Sequence, residues 1–206
     1  MLSWAVKWWL RFCRGKELKF LSHLELMRLW ERAMIRAGVP LAYSQGFSPH
    51  PRLSLACPLP VGVTAEGELL EVHLKEAADP RAFQERITQQ LPLGIVLKAV
   101  EPVAESVPAL ASQVRWLYYR LSGQGQEVAD RLASFLALQE LPWEEVGRKQ
   151  PRRYNLRQHV ADIRMDSNGN LVTLEMKLSP QGRPEQVALA LGLEVVAIHR
   201  LGLELA

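Results

Sequence analysis

A proline-rich run between Tyr43 and Gly62 constrains the fold of this chain more than any other feature. It reads Y-S-Q-G-F-S-P-H-P-R-L-S-L-A-C-P-L-P-V-G and lies between two segments with regular periodicity. Its prolines stiffen the backbone, and its glycines permit backbone angles that other residues avoid. The run therefore predicts a rigid loop that presents aromatic, imidazole and guanidinium groups.

The segments around this run have the periodicities of strands and helices. A β-prone stretch at Trp4–Cys13 precedes the capping-box pattern Ser22-His-Leu-Glu25, which predicts a helix to Ala37. Further elements are predicted as strands at Arg52–Cys57, Glu66–Lys75 and Ile95–Val100, and as a helix from Asp79 to about Gln90. In Glu66–Lys75, apolar residues alternate with Glu71, His73 and Lys75. The order βαββαβ is that of a ferredoxin-like unit.

The second half of the chain has the pattern of a similar unit, although the pattern does not fix the number of its strands. A strand at Gln113–Leu121, a helix at Gln126–Leu138 and a closing strand at Val195–Leu203 follow the same periodicities. We therefore predict an α+β fold with two ferredoxin-like (βαββαβ) subdomains in tandem. The first covers residues 1–103, a linker covers 104–111, and the second covers 112–206 with an inserted basic segment.

Charge and cysteine content limit the functional classes. The net charge is only +3, but basic residues concentrate before Val39 and between Arg148 and Arg164. The 2 cysteines, Cys13 and Cys57, are too few for a disulfide framework or a four-thiolate metal site. The apolar N-terminal stretch is interrupted by charge, so we expect neither a signal peptide nor a membrane span. A cytoplasmic protein without a metal site follows as the expectation.

Several motifs together carry a resemblance to a known family. They are K-F-L-S-H-L-E-L-M-R (Lys19–Arg28), R-A-G-V-P (Arg36–Pro40), the proline-rich run, E-G-E (Glu66–Glu68) and I-H-R-L-G-L (Ile198–Leu203). The chain resembles the uncharacterised radical-SAM-linked protein family over nearly its whole length. Glu25, Ser48 and Asn155 stand where the family usually has Asp, Asn and Asp.

This resemblance implies a partner rather than a reaction. Members are encoded beside, or fused to, a radical S-adenosylmethionine protein, often near a ribonuclease of the E/G type. That context favours RNA or a ribosome-related substrate. The chain lacks a Cys-x3-Cys-x2-Cys run, so it cannot hold the partner's iron–sulfur cluster by that route, and we expect no cofactor.

The proline-rich run supplies the first set of candidate ligand-binding residues: Tyr43, Gln45, Phe47, His50 and Arg52. Aromatic faces can stack on bases, and a guanidinium can bind phosphate. The alternative is a structural loop whose Phe47 fills the core. His23, at the start of the predicted helix, would either cap it or bind an anion.

The basic segment Arg148–His159 supplies the second set: Arg152, Arg153, Tyr154 and Arg157. Cations interleaved with an aromatic ring suit contact with a nucleic-acid backbone, and an acidic protein would fit equally well. The stripe Arg28, Arg32 and Arg36 is either a solvated helix face or a surface that follows phosphates.

These observations predict a non-catalytic recognition partner of a radical S-adenosylmethionine enzyme that binds RNA or a ribosome-related substrate. One alternative is an RNA-modifying enzyme of pseudouridine-synthase-like architecture, for which Asp162 and Glu68 are weak candidates for the catalytic carboxylate. Another is a pure assembly module that docks through Trp8 and Trp9. Whether the proline-rich run and the basic segment share one cleft remains open at this stage.

Overall fold

The protein has an α+β fold built from ten strands and five α-helices in the part of the chain described. A computed structural model describes residues 6–145, 152–168 and 171–206. The strands are β1 (Val6–Arg14), β2 (Leu53–Leu55), β3 (Thr64–Leu74), β4 (Ile95–Val103), β5 (Val114–Gln124), β6 (Pro142–Glu145), β7 (Arg152–Asn155), β8 (Val160–Asn168), β9 (Leu171–Leu178) and β10 (Glu194–Leu205). The helices are α1 (His23–Arg36), α2 (Pro80–Thr88), α3 (Leu110–Gln113), α4 (Val128–Ala137) and α5 (Pro184–Ala190).

The chain divides into two compact units. The first unit comprises Met1–Val114 with Leu205–Ala206, and the second comprises Arg115–Glu204. The segment 104–111, predicted as a linker, lies within the first unit. There the amide of Leu110 donates to Glu71 Oε2 at 3.0 Å, and Leu110 is fully buried. Among the described residues, no helix has the length and apolar character needed to cross a bilayer.

The strands of the first unit lie in the order β4-β1-β3-β2, and each neighbouring pair is antiparallel. Leu10 is opposite Leu70 on β3 and Val100 on β4. One face of this sheet packs against α1 and α2 and forms the core. Aromatic pairs join the layers: Trp8 packs on Phe83 with ring centroids 4.8 Å apart. The predicted strand β1 thus buries Trp8, whereas Trp4 lies outside the described residues.

Helix α1 begins where the capping box predicted it. Ser22 Oγ accepts from the amide of Glu25, while the Glu25 carboxylate accepts from the amide of Ser22. The buried face consists of Leu26, Trp30, Ala33 and Met34. The helix ends before Gly38, whose φ of +62° is in the left-handed region that favours glycine.

A buried arginine fixes the second half of the proline-rich run. Arg14, at the end of β1, is 1% exposed. Its guanidinium donates to the carbonyl oxygens of Val63 (2.6 Å), Pro60 (2.6 Å) and Leu21 (3.3 Å). Because one fork of donors satisfies three carbonyls from two segments, Arg14 holds the start of α1 and the end of the proline-rich run in place.

In the second unit the strands lie in the order β10-β5-β9-β8, with antiparallel β5–β9 and β8–β9 pairs. Strands β6 and β7 form a separate two-stranded hairpin. The predicted basic insertion therefore contributes a strand, β7, followed by a short 3-10 turn at Arg157–His159. Residues 146–151, which include Arg148, lie outside the described residues.

Candidate functional site

The first half of the proline-rich run folds into a hairpin that spans Tyr43–Pro51, here called the recognition hairpin. Tyr43 bridges to Pro51, and the amide of Ser44 donates to the carbonyl of His50 at 2.8 Å. The amide of His50 donates in turn to Ser44 Oγ at 3.0 Å. Below this pair, the amide of Arg52 donates to the carbonyl of Ala42 at 2.8 Å. The base of the hairpin is therefore closed by backbone and side-chain hydrogen bonds.

The tip of the recognition hairpin is exposed throughout. Phe47 is 110% exposed relative to a reference residue, and Gln45, Ser48, Pro49 and His50 are exposed as well. Gly46 has a φ of +122°, which only glycine adopts without strain, and it turns the chain at this point. Phe47 therefore does not fill the core, in contrast to the structural alternative considered from the sequence.

Two cations lie beside the base of the hairpin. Arg52 is exposed directly after the hairpin, and its Nη2 lies 3.5 Å from Nε2 of His73. Lys75 Nζ lies 5.6 Å from the centroid of the Tyr43 ring, within the range of a cation–π contact. Positive charge and an aromatic face are thus adjacent where the hairpin joins β3.

The structure adds a buried polar cluster beneath this base that sequence reasoning did not select. His73 Nε2 lies 3.3 Å from Glu71 Oε1, and His73 Nδ1 lies 3.7 Å from Glu105 Oε1. Both His73 and Glu71 are buried, whereas Glu105 is exposed. The alternation of Glu71, His73 and Lys75 along one strand was the available signal. It placed them on one face, but only the covering segment after β4 shows that this face is buried.

His23 occupies the first position of α1, where the free amides of the helix begin. A carboxylate already lies at this end of the helix, because Glu25 accepts hydrogen bonds from the amide (2.8 Å) and the hydroxyl (2.7 Å) of Ser22. The hydrogen bond from the Ser22 side chain is the main reason that the pKa of Glu25 is lowered. His23 itself is exposed to solvent. A ligand anion at this helix end would therefore meet a carboxylate already in place.

The second unit carries a cleft of about 600 Å³ on the β6–β7 hairpin, here called the basic-segment cleft. Its lining includes Glu140, Pro142, Trp143, Glu144, Arg153, Tyr154, Asn155 and Gln158. Trp143 and Tyr154 face each other in register across the two strands. Arg153 Nε donates to Glu144 Oε2 at 2.8 Å, and the Arg153 side chain is mostly exposed. The structure thus brings Arg153 and Tyr154 together with a second aromatic residue.

The remaining basic-segment residues have structural contacts. Asn155 Oδ1 accepts from the amides of Leu141 (2.9 Å) and Arg157 (3.1 Å), so it closes the turn after β7. The Arg157 guanidinium lies 5.7 Å from the centroid of the Phe135 ring and donates to the carbonyl of Val160 at 2.7 Å. The side chain of Arg152 lies outside the part that the structure describes.

The two candidate carboxylates for catalysis occupy different environments. Asp162 is exposed on β8 and forms a salt bridge with Arg164 at 3.2 Å. Glu68 is 1% exposed within β3. Across the described ranges, no group of three or more His, Cys, Asp and Glu side chains is arranged to hold a metal ion.

Neither Cys13 nor Cys57 forms a disulfide within the described residues, and both are half-buried. Cys13 Sγ donates to the carbonyl of Glu66 at 3.1 Å. Burial is the main cause of a raised pKa for the Cys13 thiol. A thiol with a raised pKa is a poor nucleophile near neutral pH, which is consistent with a packing role.

Comparison with known proteins places the chain in a family without assigned chemistry. A family model described as "Uncharacterized protein conserved in bacteria (DUF2344)" matches residues 7–188. No curated protein matches the chain. Among solved structures, the "Crystal Structure of an Unknown Protein from Galdieria sulphuraria" is similar at 12% sequence identity, over 94% of this chain and 99% of that chain, with a TM-score of 0.29.

Proposed function

Since the chain belongs to DUF2344, a family of uncharacterised proteins conserved in bacteria, we propose that it is a non-catalytic recognition protein that binds RNA. In this proposal it acts in the cytoplasm as the partner of a radical S-adenosylmethionine enzyme and presents an RNA or ribosome-related substrate to it. The partner is proposed from the resemblance of the sequence motifs. The RNA is proposed from the chemistry of the recognition hairpin and the basic-segment cleft.

The fully exposed Phe47 is the observation that carries this proposal. Leaving a phenylalanine ring in water forfeits about 1.5–3 kcal/mol that burial would supply. Here the ring stands at the tip of a hairpin whose base is closed by hydrogen bonds between Ser44 and His50. Because these hydrogen bonds fix the backbone at the base of the hairpin before binding, less conformational entropy is lost when a ligand covers the ring. Such a ring suits a binding contact.

The groups around Phe47 favour RNA as the ligand. A base stacks on an aromatic face with about 1–3 kcal/mol of binding free energy, and stacking tolerates any base. Tyr43 offers a second ring, while Arg52 and Lys75 offer positive charge for the phosphates. Gln45 and His50 carry hydrogen-bonding groups on the same exposed segment. The hairpin thus combines the three kinds of contact that single-stranded RNA requires.

The basic-segment cleft provides a second contact of the same kind. Trp143 and Tyr154 supply aromatic surface, and Arg153 supplies an exposed guanidinium. Arg153 is partly neutralised by Glu144, so we expect its contribution to depend on exchange of that salt bridge for a phosphate. Arg157 contributes indirectly in this proposal, by supporting the turn that carries the cleft.

We also interpret each unit as ferredoxin-like. In the first unit the elements follow the order β1, α1, β2, β3, α2, β4, with the strands arranged as β4-β1-β3-β2. In the second unit the corresponding strands β5, β8, β9 and β10 are arranged as β10-β5-β9-β8, with the β6–β7 hairpin inserted after α4. These strand orders support the interpretation of each unit as a βαββαβ unit.

The RNA part is tested by fluorescence anisotropy with a labelled single-stranded RNA oligonucleotide over a series of salt concentrations. We expect Phe47→Ala to weaken binding about 5- to 150-fold, the equivalent of one lost base stack. Phe20→Ala is the matched control, because Phe20 is also an exposed phenylalanine of the first unit but lies outside the hairpin. If the wild-type chain binds RNA no better than an unrelated protein of net charge +3, the RNA part is wrong.

The partner part is tested separately by affinity purification of the tagged full chain from its native cell. We expect mass spectrometry to identify a radical S-adenosylmethionine protein in the purified material, with the amount unaffected by Phe47→Ala. Reproducible absence of such a protein, with or without chemical crosslinking, would contradict the partnership and would leave the RNA measurement to stand on its own.

A further inference from the structure

A groove of about 470 Å³ in the first unit runs along α1 and lies outside the recognition hairpin. Its apolar part is formed by Leu18, Leu21, Leu29 and Pro92. The basic residues of its lining are Arg28, Arg32 and Arg36, all on α1. Apolar floor and cationic rim therefore occur together on one surface. The proposed RNA-binding function does not use this surface.

The arginines of this groove carry positive charge that the described residues leave largely uncompensated. Arg28 and Arg32 are exposed and form no hydrogen bond or salt bridge within the described ranges. Arg36 is fixed at one end, where Nη2 donates to the carbonyl of Gln90 at 2.7 Å. Glu25 supplies the one carboxylate in the lining, and its charge, which interacts with Arg28, offsets one of the three positive charges. The groove thus has a net positive rim.

The spacing of the arginines matches a helical partner. They recur at every fourth residue, so successive side chains are separated by about 6 Å along α1 and the three span about 12 Å. Carboxylates at positions i, i+4 and i+8 of a second helix have the same spacing. The groove is formed by side chains of α1 and of the segments beside it, and so it suits a helix laid into a groove rather than an added strand.

The floor of the groove favours a protein over a nucleic acid. Every apolar residue in its lining is a leucine or a proline, with no aromatic ring among the lining residues. The stacking contribution of aromatic rings to base binding is absent from this lining, whereas aliphatic side chains of a protein bury well against leucine. The expected ligand therefore carries carboxylates, which pair with the three guanidinium groups, next to aliphatic side chains, which cover the apolar floor of the groove.

We propose that this groove is a docking site for an acidic amphipathic helix of a partner protein. The helix would place aliphatic residues on Leu21 and Leu29 and align its carboxylates with Arg28, Arg32 and Arg36. This inference stands independently of RNA binding by the recognition hairpin.

The test uses a fluorescein-labelled helical peptide of roughly 16 residues, long enough to hold a helix in solution. It carries a leucine stripe bordered by glutamates at i, i+4 and i+8. A second peptide has lysine at each glutamate position, and a third has serine in place of each leucine. We expect the full chain to bind the acidic peptide more tightly than either control peptide, and increasing salt to weaken this binding.

The combined substitution of Arg28→Ala and Arg32→Ala should weaken binding of the acidic peptide about three- to thirtyfold. Both side chains are exposed, so circular dichroism should show an unchanged fold. Arg81→Ala is the matched control, since Arg81 is an exposed helical arginine on α2 outside the groove. A chain carrying Arg28→Glu and Arg32→Glu should gain affinity for the lysine peptide.

The proposal is wrong if the acidic and lysine peptides bind equally, or if the combined substitution leaves the affinity unchanged. It is also wrong if the arginine substitutions abolish binding of a single-stranded RNA oligonucleotide while the acidic peptide fails to compete with that RNA. That last result would assign the arginine stripe to RNA. Loss of RNA binding after Phe47→Ala with peptide binding retained would separate this surface from the recognition hairpin.

Discussion

The carboxylate of Glu71 accepts a hydrogen bond from the indole Nε1 of Trp9 at 3.1 Å, across the paired strands β1 and β3. The same carboxylate accepts from the amide of Leu110 at 3.0 Å and lies 3.3 Å from Nε2 of His73. Glu71 is 4% exposed. One buried carboxylate therefore connects the sheet to the segment that covers it and to the histidine beneath the recognition hairpin.

Glu71→Gln is expected to lower the free energy of unfolding by about 1–3 kcal/mol, because a neutral amide oxygen accepts more weakly than a carboxylate from the Trp9 indole and the Leu110 amide. Urea denaturation followed by circular dichroism measures the change. Glu101→Gln serves as the control, since Glu101 is exposed on β4, and it should alter stability by less than about 0.5 kcal/mol. Equal effects of the two substitutions would mean that the Glu71 hydrogen bonds contribute little.

Arg14→Ala is expected to destabilise the chain by about 3 kcal/mol or more, because buried carbonyls of Val63, Pro60 and Leu21 lose their donor. Arg14→Lys should recover only part of this loss, since an ammonium lacks the planar fork of donors. Thermal unfolding of the full chain measures both. Arg11→Ala, at an exposed position on the same strand, is the control and should be nearly neutral. A neutral Arg14→Ala would contradict the assigned role.

The capping box of α1 predicts a dependence on pH. Hydrogen bonds from Ser22 lower the pKa of Glu25 in the folded chain relative to the unfolded chain. Its contribution to stability is therefore complete above the unfolded pKa of about 4.3 and is lost as pH falls through the lower folded pKa. Ser22→Ala should raise the pKa of Glu25 toward its ordinary value, which NMR titration of the Glu25 carboxyl measures. An unchanged titration midpoint in Ser22→Ala would show that the hydrogen bond is not its cause.

Asn155→Asp should preserve stability within about 0.5 kcal/mol, because a carboxylate can accept from the same two amides. Asn155→Ala should cost about 1–3 kcal/mol, since the amides of Leu141 and Arg157 lose their acceptor. Denaturant unfolding of the two variants distinguishes these outcomes. The Asn155 side chain therefore accepts the same two hydrogen bonds that an aspartate at this position would accept. Strong destabilisation by Asn155→Asp would instead require an amide donor at this site.

Much of the element order could be predicted from periodicity. The strand predicted at Ile95–Val100 begins at the same residue in the structure and extends to Val103, and α1 was predicted within one residue at each end. The strand β7 was not predicted, because Arg152–Asn155 lacks an apolar alternation and pairs only with its neighbour β6. Pairing of a short polar strand depends on its partner more than on its own propensity.

The sequence predicted which residues form the candidate site, but it did not predict which of them are exposed or what lies beneath them. The proline-rich run identified Tyr43, Gln45, Phe47, His50 and Arg52 by composition alone. Whether Phe47 entered the core or stood in solvent depended on the hydrogen bonds that close the hairpin. The burial of His73 and Glu71 depended on a segment that covers one face of β3 and lies far along the chain: Leu110 follows Glu71 by 39 residues.

By itself the sequence determined those elements whose ends are set by neighbouring residues in the chain. The capping box begins α1, Gly38 ends it, and the prolines between Tyr43 and Gly62 keep that run out of regular helix. Only the tertiary structure decided which charged groups are buried. Arg14 and Glu71 look like ordinary surface residues in the sequence, but carbonyls and amides distant in the chain surround them. Burial of a charge requires partners, and the fold alone brings those partners together.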